Sequence, residues 1–352
     1  MPRPIHARID LSALEHNLHV ARRASSARIM AVLKAAAYGH GLLRAAEALN
    51  ATDGYALLDM RDAVQLREAG FRQTILLLEG CFTPDDVLLA AEYDLACVIH
   101  NQRQMAMLDA CPRRGSLQIW LKVNSGMNRL GFAPEQVQAA MDQLKAHAAV
   151  RDITLMTHFS DAEASGVSAQ LEVFNTLAAP YRVARSLANS AALLRYPATH
   201  GDWVRPGIML YGASPFTEIS AQQLGLRPVM TLQSEIISVQ QLQPGDAIGY
   251  GGQFRADNPM RVGTVACGYA DGYPRHASTG TPVLVEGKRT RTLGRVSMDM
   301  MTVDLSAWPA AAVGSRVTLW GEGLPVEEVA AAAGTLSYEL LCALTARVSI
   351  VS

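Results

Sequence analysis

The sequence predicts an α/β protein, with an N-terminal (β/α)8 barrel, a TIM barrel, followed by a mostly β C-terminal domain. Three observations carry this expectation. Eight short apolar runs alternate with helical patterns across the first two thirds of the chain. Past about residue 225 the texture changes to dense turn signals separating β-rich runs. The chain has 352 residues, 49% of them hydrophobic and 18% charged, which suits a barrel plus a second domain with a large core.

The apolar runs are 29–35, 55–58, 74–78, 95–99, 117–123, 153–159, 186–189 and 204–210. Each has the length of a buried strand, although the last is ambiguous between strand and helix. Helical patterns lie between most of them, for example at 60–70, where Ala63, Val64 and Leu66 recur, and at 134–146. Asp62 and Pro84-Asp85 stand near helix starts, where carboxylates serve free N–H groups. The expected domains are 1–225 and 226–352. In the second, turns at Pro244-Gly245-Asp246, Gly251-Gly252, 257–259, Glu286-Gly287 and 321–323 separate β-rich runs. Those runs are 231–239, 261–266, 282–285, 300–305 and 317–320, with one alanine-rich helix at 326–333.

A formal net charge of −1 provides no basic field for nucleic acid or anionic lipid. The five cysteines, Cys81, Cys97, Cys111, Cys267 and Cys342, are odd in number and widely spaced. They are read as reduced thiols rather than a disulfide framework. No HxxxH or HxH pair supports a metal site. No run is long enough to cross a bilayer, and no apolar stretch follows the first residues. A soluble, cytoplasmic protein is expected.

One lysine stands out. Lys34 follows the first apolar run, at the end of a barrel strand where active sites sit. Partial desolvation there lowers an amine's pKa and frees it as a nucleophile. A lysine snorkelling from a strand end is the alternative. Tyr38 lies four residues on, and the Gly39-His40-Gly41 turn allows the backbone to approach a ligand. Lys122 and Arg129 place two cations seven residues apart after another apolar run, suited to an anion or to a surface ion pair. Arg205-Pro206-Gly207 follows a late run, where such barrels bind phosphate. In the β domain, Tyr250 sits among Gly249, Gly251 and Gly252. A phenol ordinarily holds its proton to about pH 10, so service as a base needs neighbours that stabilise the phenolate. A loop tyrosine packed on its own turn is the bland alternative.

These segments together resemble the alanine racemases. Segments 32–41, 122–131, 156–160, 203–212, 248–252, 266–274, 297–304 and 337–340 match in order and spacing. The resemblance implies an isomerase that interconverts L- and D-alanine for peptidoglycan supply or alanine catabolism. It implies pyridoxal 5'-phosphate held covalently by Lys34, with Tyr250 as the opposing base. It also implies a homodimer in which each site combines one subunit's barrel with the other's β domain, and first residues that join the β domain. Tyr38, Ser190, Gly207, Ile208 and Tyr338 match phosphate-binding positions. Arg205 matches the arginine facing the pyridine nitrogen, and His158 a histidine in the surrounding hydrogen-bond network. Arg129 matches a residue near the cofactor's phenolic oxygen and the substrate carboxylate. Met298, Asp299 and Tyr269 match residues placed by the partner around the substrate entrance. Lys122 matches a lysine that is carbamylated in some relatives. One departure is visible: Ala36 stands where the family usually has asparagine, with a modest effect expected on the lysine loop.

Three other readings have distinct signatures. A basic-amino-acid decarboxylase shares the two-domain plan, but residues 249–252 argue against it. A broad-specificity racemase fits the fold, although such enzymes are often exported. A cofactor-carrying barrel would lack the β domain and its tyrosine.

Overall fold

The computed structural model describes residues 3–351. The chain opens with strand β1 (His6–Ile9) and a long helix, Leu11–Ala24. Asp10 caps that helix, its carboxylate accepting from the Ala13 N–H at 3.2 Å. Eight parallel strands then close into a barrel: β2 (Arg28–Val32), β3 (Gly54–Leu57), β4 (Thr74–Leu77), β5 (Ala96–Ile99), β6 (Leu117–Lys122), β7 (Val150–Met156), β8 (Ala184–Ser186) and β9 (Trp203–Val204). Closure is made by β2 against β9, with Arg28 opposite Trp203 and Ile29 opposite Val204. These strands read as apolar runs because barrel strands have both faces covered.

Each of the eight apolar runs overlaps one barrel strand. The eighth is the least strand-like: only Trp203 and Val204 pair, and Ile208–Tyr211 turn into a 3-10 helix. Pro206 lacks the N–H needed to extend the ladder. Its carbonyl still accepts from the Val32 N–H at 3.0 Å. Asp62 and Pro84-Asp85 lie in first helical turns, as expected, but other residues cap these helices. The cap before Met60–Glu68 is Asp59, which accepts from the Arg61 N–H, and Asp62 lies within the first turn. Before Pro84–Glu92 the cap is Thr83, in a reciprocal pair with Asp86.

The remainder is built on β10 (Met230–Leu242). An eight-stranded sheet runs Met260–Val265, Met301–Asp304, Lys288–Leu293, Pro282–Val285, Arg316–Trp320, β10, β1, Ser349–Val351. Met260–Val265 also pairs with β10, so six of these strands close on themselves and lose their free edges. Strand β1 lies antiparallel to β10 and parallel to Ser349–Val351. The chain therefore begins in the β sheet, then builds the barrel, then returns. Two helices accompany the sheet, Val326–Ala332 and Ser337–Cys342, where the sequence pattern shows only the first. Among the described residues no helix is long and apolar enough to cross a membrane.

Candidate active site

The carboxyl ends of the barrel strands surround a cavity of about 510 Å³. The connectivity dictates which side chains reach it. Lys34 stands two residues past β2, Lys122 is the last residue of β6, His158 stands two past β7, and Arg205 directly follows β9. All four line the cavity, together with Tyr38, Arg129, Ser190, Gly207, Ile208 and Tyr338. Ten of the residues singled out from the sequence thus converge on one space.

The lysine loop has an unusual backbone. Ala35, Ala36, Ala37 and Tyr38 all adopt left-handed conformations, with φ of 54°, 50°, 57° and 51°. This single left-handed turn carries the chain from Lys34 to Tyr38. Tyr38 stacks on Tyr211 at 4.5 Å between ring centroids, and the Tyr211 hydroxyl donates to the Val32 carbonyl at 2.8 Å. Gly39 is packed so closely that a Cβ there would lie 2.3 Å from the Leu341 carbonyl oxygen. That contact seats the helix Ser337–Cys342 against the loop and brings Tyr338 to 6.0 Å from Tyr38, ring to ring.

Arg205 is fully enclosed. Its Nη1 donates to the Ser186 hydroxyl at 2.5 Å, and its Nη2 to the Thr157 and Leu187 carbonyls at 2.7 and 3.1 Å. Nη2 also lies 3.4 Å from His158 Nδ1. A guanidinium can only donate, so Nδ1 accepts and the His158 proton belongs on Nε2. Burial first, then Arg205, Lys122 and Arg129, hold His158 well below the usual imidazole range, consistent with this neutral form. Burial draws Arg205 down to about 10, which leaves it charged at neutral pH.

The cavity has an excess of positive charge. Lys34, Lys122, Arg129 and Arg205 face only two carboxylates, Glu79 and Glu163. The consequence is visible in the lysines. Burial, then the neighbouring Arg205, Arg129 and Lys34, pull Lys122 down to about 7. Burial and Arg129 lower Lys34 as well. Such a site attracts an anion and keeps its amines ready to lose a proton. Glu79 and Glu163 escaped the sequence reading. Glu79 stands two residues past β4, so the strand-end rule that exposes Lys34 would have found it. Glu163 lies in an irregular stretch that carries no such signal.

Four residues do not join this cavity. Tyr250, Tyr269, Met298 and Asp299 all belong to the β domain, and none lines it. Tyr250 is 78% exposed and Met298 53%.

Comparison with known proteins accounts for the whole chain. Residues 9–215 match the family model "Alanine racemase, N-terminal domain", and residues 229–352 match "Alanine racemase, C-terminal domain". The alanine racemase of Nitrosospira multiformis is 60% identical, with all of both chains covered. That of Nitrosomonas eutropha is 58% identical over all of this chain and 99% of its own. Among solved structures, the biosynthetic alanine racemase of Pseudomonas aeruginosa superposes with a TM-score of 0.96 at 47% identity, covering 99% of each chain. The Bacillus anthracis alanine racemase with bound L-Ala-P gives 0.84 at 30% identity, over 99% of this chain and 94% of that one. With both domains matched in order and over full length, the chain belongs to the alanine racemase family.

Proposed function

We propose that this chain racemises alanine with pyridoxal 5'-phosphate, as a homodimer whose sites are shared between subunits. The observation that carries this reading is the cavity at the barrel mouth, where Lys34 stands among an excess of cations. The residues present fit the cofactor. A side chain at Gly207 would displace Tyr38, because a Cβ there would lie 2.6 Å from the Tyr38 hydroxyl. The Gly207 N–H already meets the Ser190 hydroxyl at 2.9 Å. Ser190, Tyr38, Tyr338 and the backbone at Gly207 and Ile208 therefore form a cradle of small donors suited to a phosphate. Lys34 would supply the amine that holds the cofactor, and Arg205 the cation for its pyridine nitrogen.

When bound, the cofactor supplies an electron sink that acidifies the Cα–H bond of an amino acid. The protein does the rest. Burial and Arg129 shift Lys34 towards its neutral form, suiting it to take and return the proton on one face of the substrate. The partner subunit's Tyr250 serves the other face. Lys34 handles the D-alanine proton and Tyr250 the L-alanine proton. Arg205, charged and held by four bonds, would face the pyridine nitrogen of the bound cofactor and oppose its protonation. A weaker electron sink limits side reactions such as transamination. Arg129 offers a cation to the substrate carboxylate. Lys122, drawn to about 7, exposes the neutral amine that carbon dioxide requires, which supports a carbamate at that position.

The exposed position of Tyr250 supports the shared site, as does the exposed apolar surface at Tyr269, Met298 and Met300. Likeness to the biosynthetic Pseudomonas enzyme favours supply of D-alanine, in the cytoplasm, over catabolism. Mixing two inactive variants tests the arrangement. Lys34→Ala and Tyr250→Phe subunits, unfolded and refolded together, should regain about a quarter of wild-type activity, because half the dimers carry one intact site of two. Recovery of none would overturn the shared site.

A further inference from the structure

The loops that carry Tyr269, Met298 and Asp299 are joined to each other and to both ends of the chain. The Tyr269 N–H donates to the Ser297 carbonyl and the Ala270 N–H to the Met298 carbonyl, each at 3.0 Å. Gly268 lies so close to this second loop that a Cβ there would be 2.4 Å from the Ser297 and Met298 carbonyl oxygens. The C-terminal segment adds a clamp: the Thr345 hydroxyl donates to the Ala270 carbonyl at 2.9 Å. At the centre is Asp271, whose side chain is fully buried. One of its oxygens takes the Gly268 N–H at 3.0 Å.

Two guanidinium groups bridge this carboxylate to Asp299. Arg3 reaches Asp271 at 3.2 Å, the Asp299 carbonyl at 2.6 Å and the Asp299 carboxylate at 3.5 Å. Arg347 reaches Asp271 at 3.1 Å and the Asp299 carboxylate at 2.7 Å. Neither arginine lines the barrel cavity. We infer that Arg3 and Arg347 are positioning residues, fixing the loops that present Tyr269, Met298 and Asp299 to the partner subunit's substrate entrance. This inference rests on the shared-site reading above. The physical reason is geometric. Each planar, permanently charged fork can hold two acceptors at once, and a buried carboxylate between two forks is a rigid anchor. One arginine comes from the segment before the first strand and the other from the segment before the last. The loop pair is therefore set only when both chain ends are in place.

The test uses Arg347→Gln and Arg3→Gln in the full-length, cofactor-loaded enzyme. Each variant leaves the other arginine on Asp271, so the fold keeps a partner for the buried carboxylate. Deuterium exchange should quicken in peptides spanning 266–274 and 295–301 and stay unchanged in barrel peptides. The KM for alanine should rise about fivefold with kcat within about twofold, in the range of a half-exposed ion pair. Arg347→Lys should restore part of the loss. Dimers that pair Lys34→Ala with an otherwise wild-type subunit separate the two ideas. Adding Arg347→Gln to the Lys34→Ala chain should raise KM, because the working barrel then faces the altered loops. Adding it to the other chain should leave KM at the wild-type value. Faster loop exchange with unchanged KM in both pairings would overturn the positioning role. A KM rise that follows the working barrel's own chain would instead overturn the shared site.

Discussion

His40 donates from Nδ1 to the Ala37 and Tyr38 carbonyls, both at 2.9 Å, and has no exposed surface. It thereby ties together the residues that leave the right-handed region. Burial draws its pKa from the usual 6.5 down to about 4. Between those values the unfolded chain binds a proton that the folded chain does not. Stability contributed here is therefore intact above pH 6.5 and falls as the pH drops towards 4. Thermal melts across that window should show Tm declining on acidification, and His40→Gln should flatten the slope while lowering Tm at pH 7. A slope that survives the substitution would assign the acid sensitivity elsewhere. The sequence marked Gly39-His40-Gly41 as a turn near a ligand, but nothing in it revealed that the histidine serves the backbone. For Arg205 the sequence showed a cation after a late strand and a family match, but none of its partners. Its four acceptors come from residues 157, 158, 186 and 187, which the parallel pairing of β7, β8 and β9 brings together.

The lysine loop is the element where the chain departs from its family, and its geometry explains the consequence. A left-handed residue with a Cβ costs roughly 1–2 kcal/mol, whereas asparagine and glycine tolerate the region better. Ala36 is exposed, with φ 50° and ψ 46°, so its substitution alters backbone preference and little packing. Ala36→Asn should stabilise the protein by about 1 kcal/mol, raising Tm by about 2 °C. Calorimetry checks this, and a lower Tm would contradict the strain. Other elements were legible to different degrees. Barrel strands announce themselves because both faces are apolar. The strand Lys288–Leu293 did not, because its residues are mostly charged or polar and its outer face meets water. Its partner Pro282–Val285 and the turn between them were both visible. Glu286 and Gly287, at φ 48° and 75°, form the tight hairpin that a two-residue connection requires. The helix Ser337–Cys342 is six residues long, too short for an apolar period to register.

Across the whole molecule, the first strand belongs to the last domain. Strand β1 sits between β10 and Ser349–Val351, so the barrel is an excursion within a β structure that needs both chain ends. Hydrophobic pattern identifies which residues are strands, but pairing between positions 6–9, 230–233 and 349–351 depends on long-range closure that no local signal encodes. The site follows the same logic. Its barrel half was readable because strand ends gather residues in a predictable place, and nine barrel residues meet there with Tyr338 from the helix Ser337–Cys342. Tyr250, Tyr269, Met298 and Asp299 lie away from that cavity, and family resemblance is what connects them to it. Two-base racemisation requires that two groups act on opposite faces of one substrate carbon. A ¹H-NMR time course of the enzyme with L-alanine in D₂O, with circular dichroism recorded alongside, tests it most directly. The Cα proton signal should disappear while the optical activity decays to zero. Loss of the proton with the optical activity retained would confine exchange to one face and contradict it.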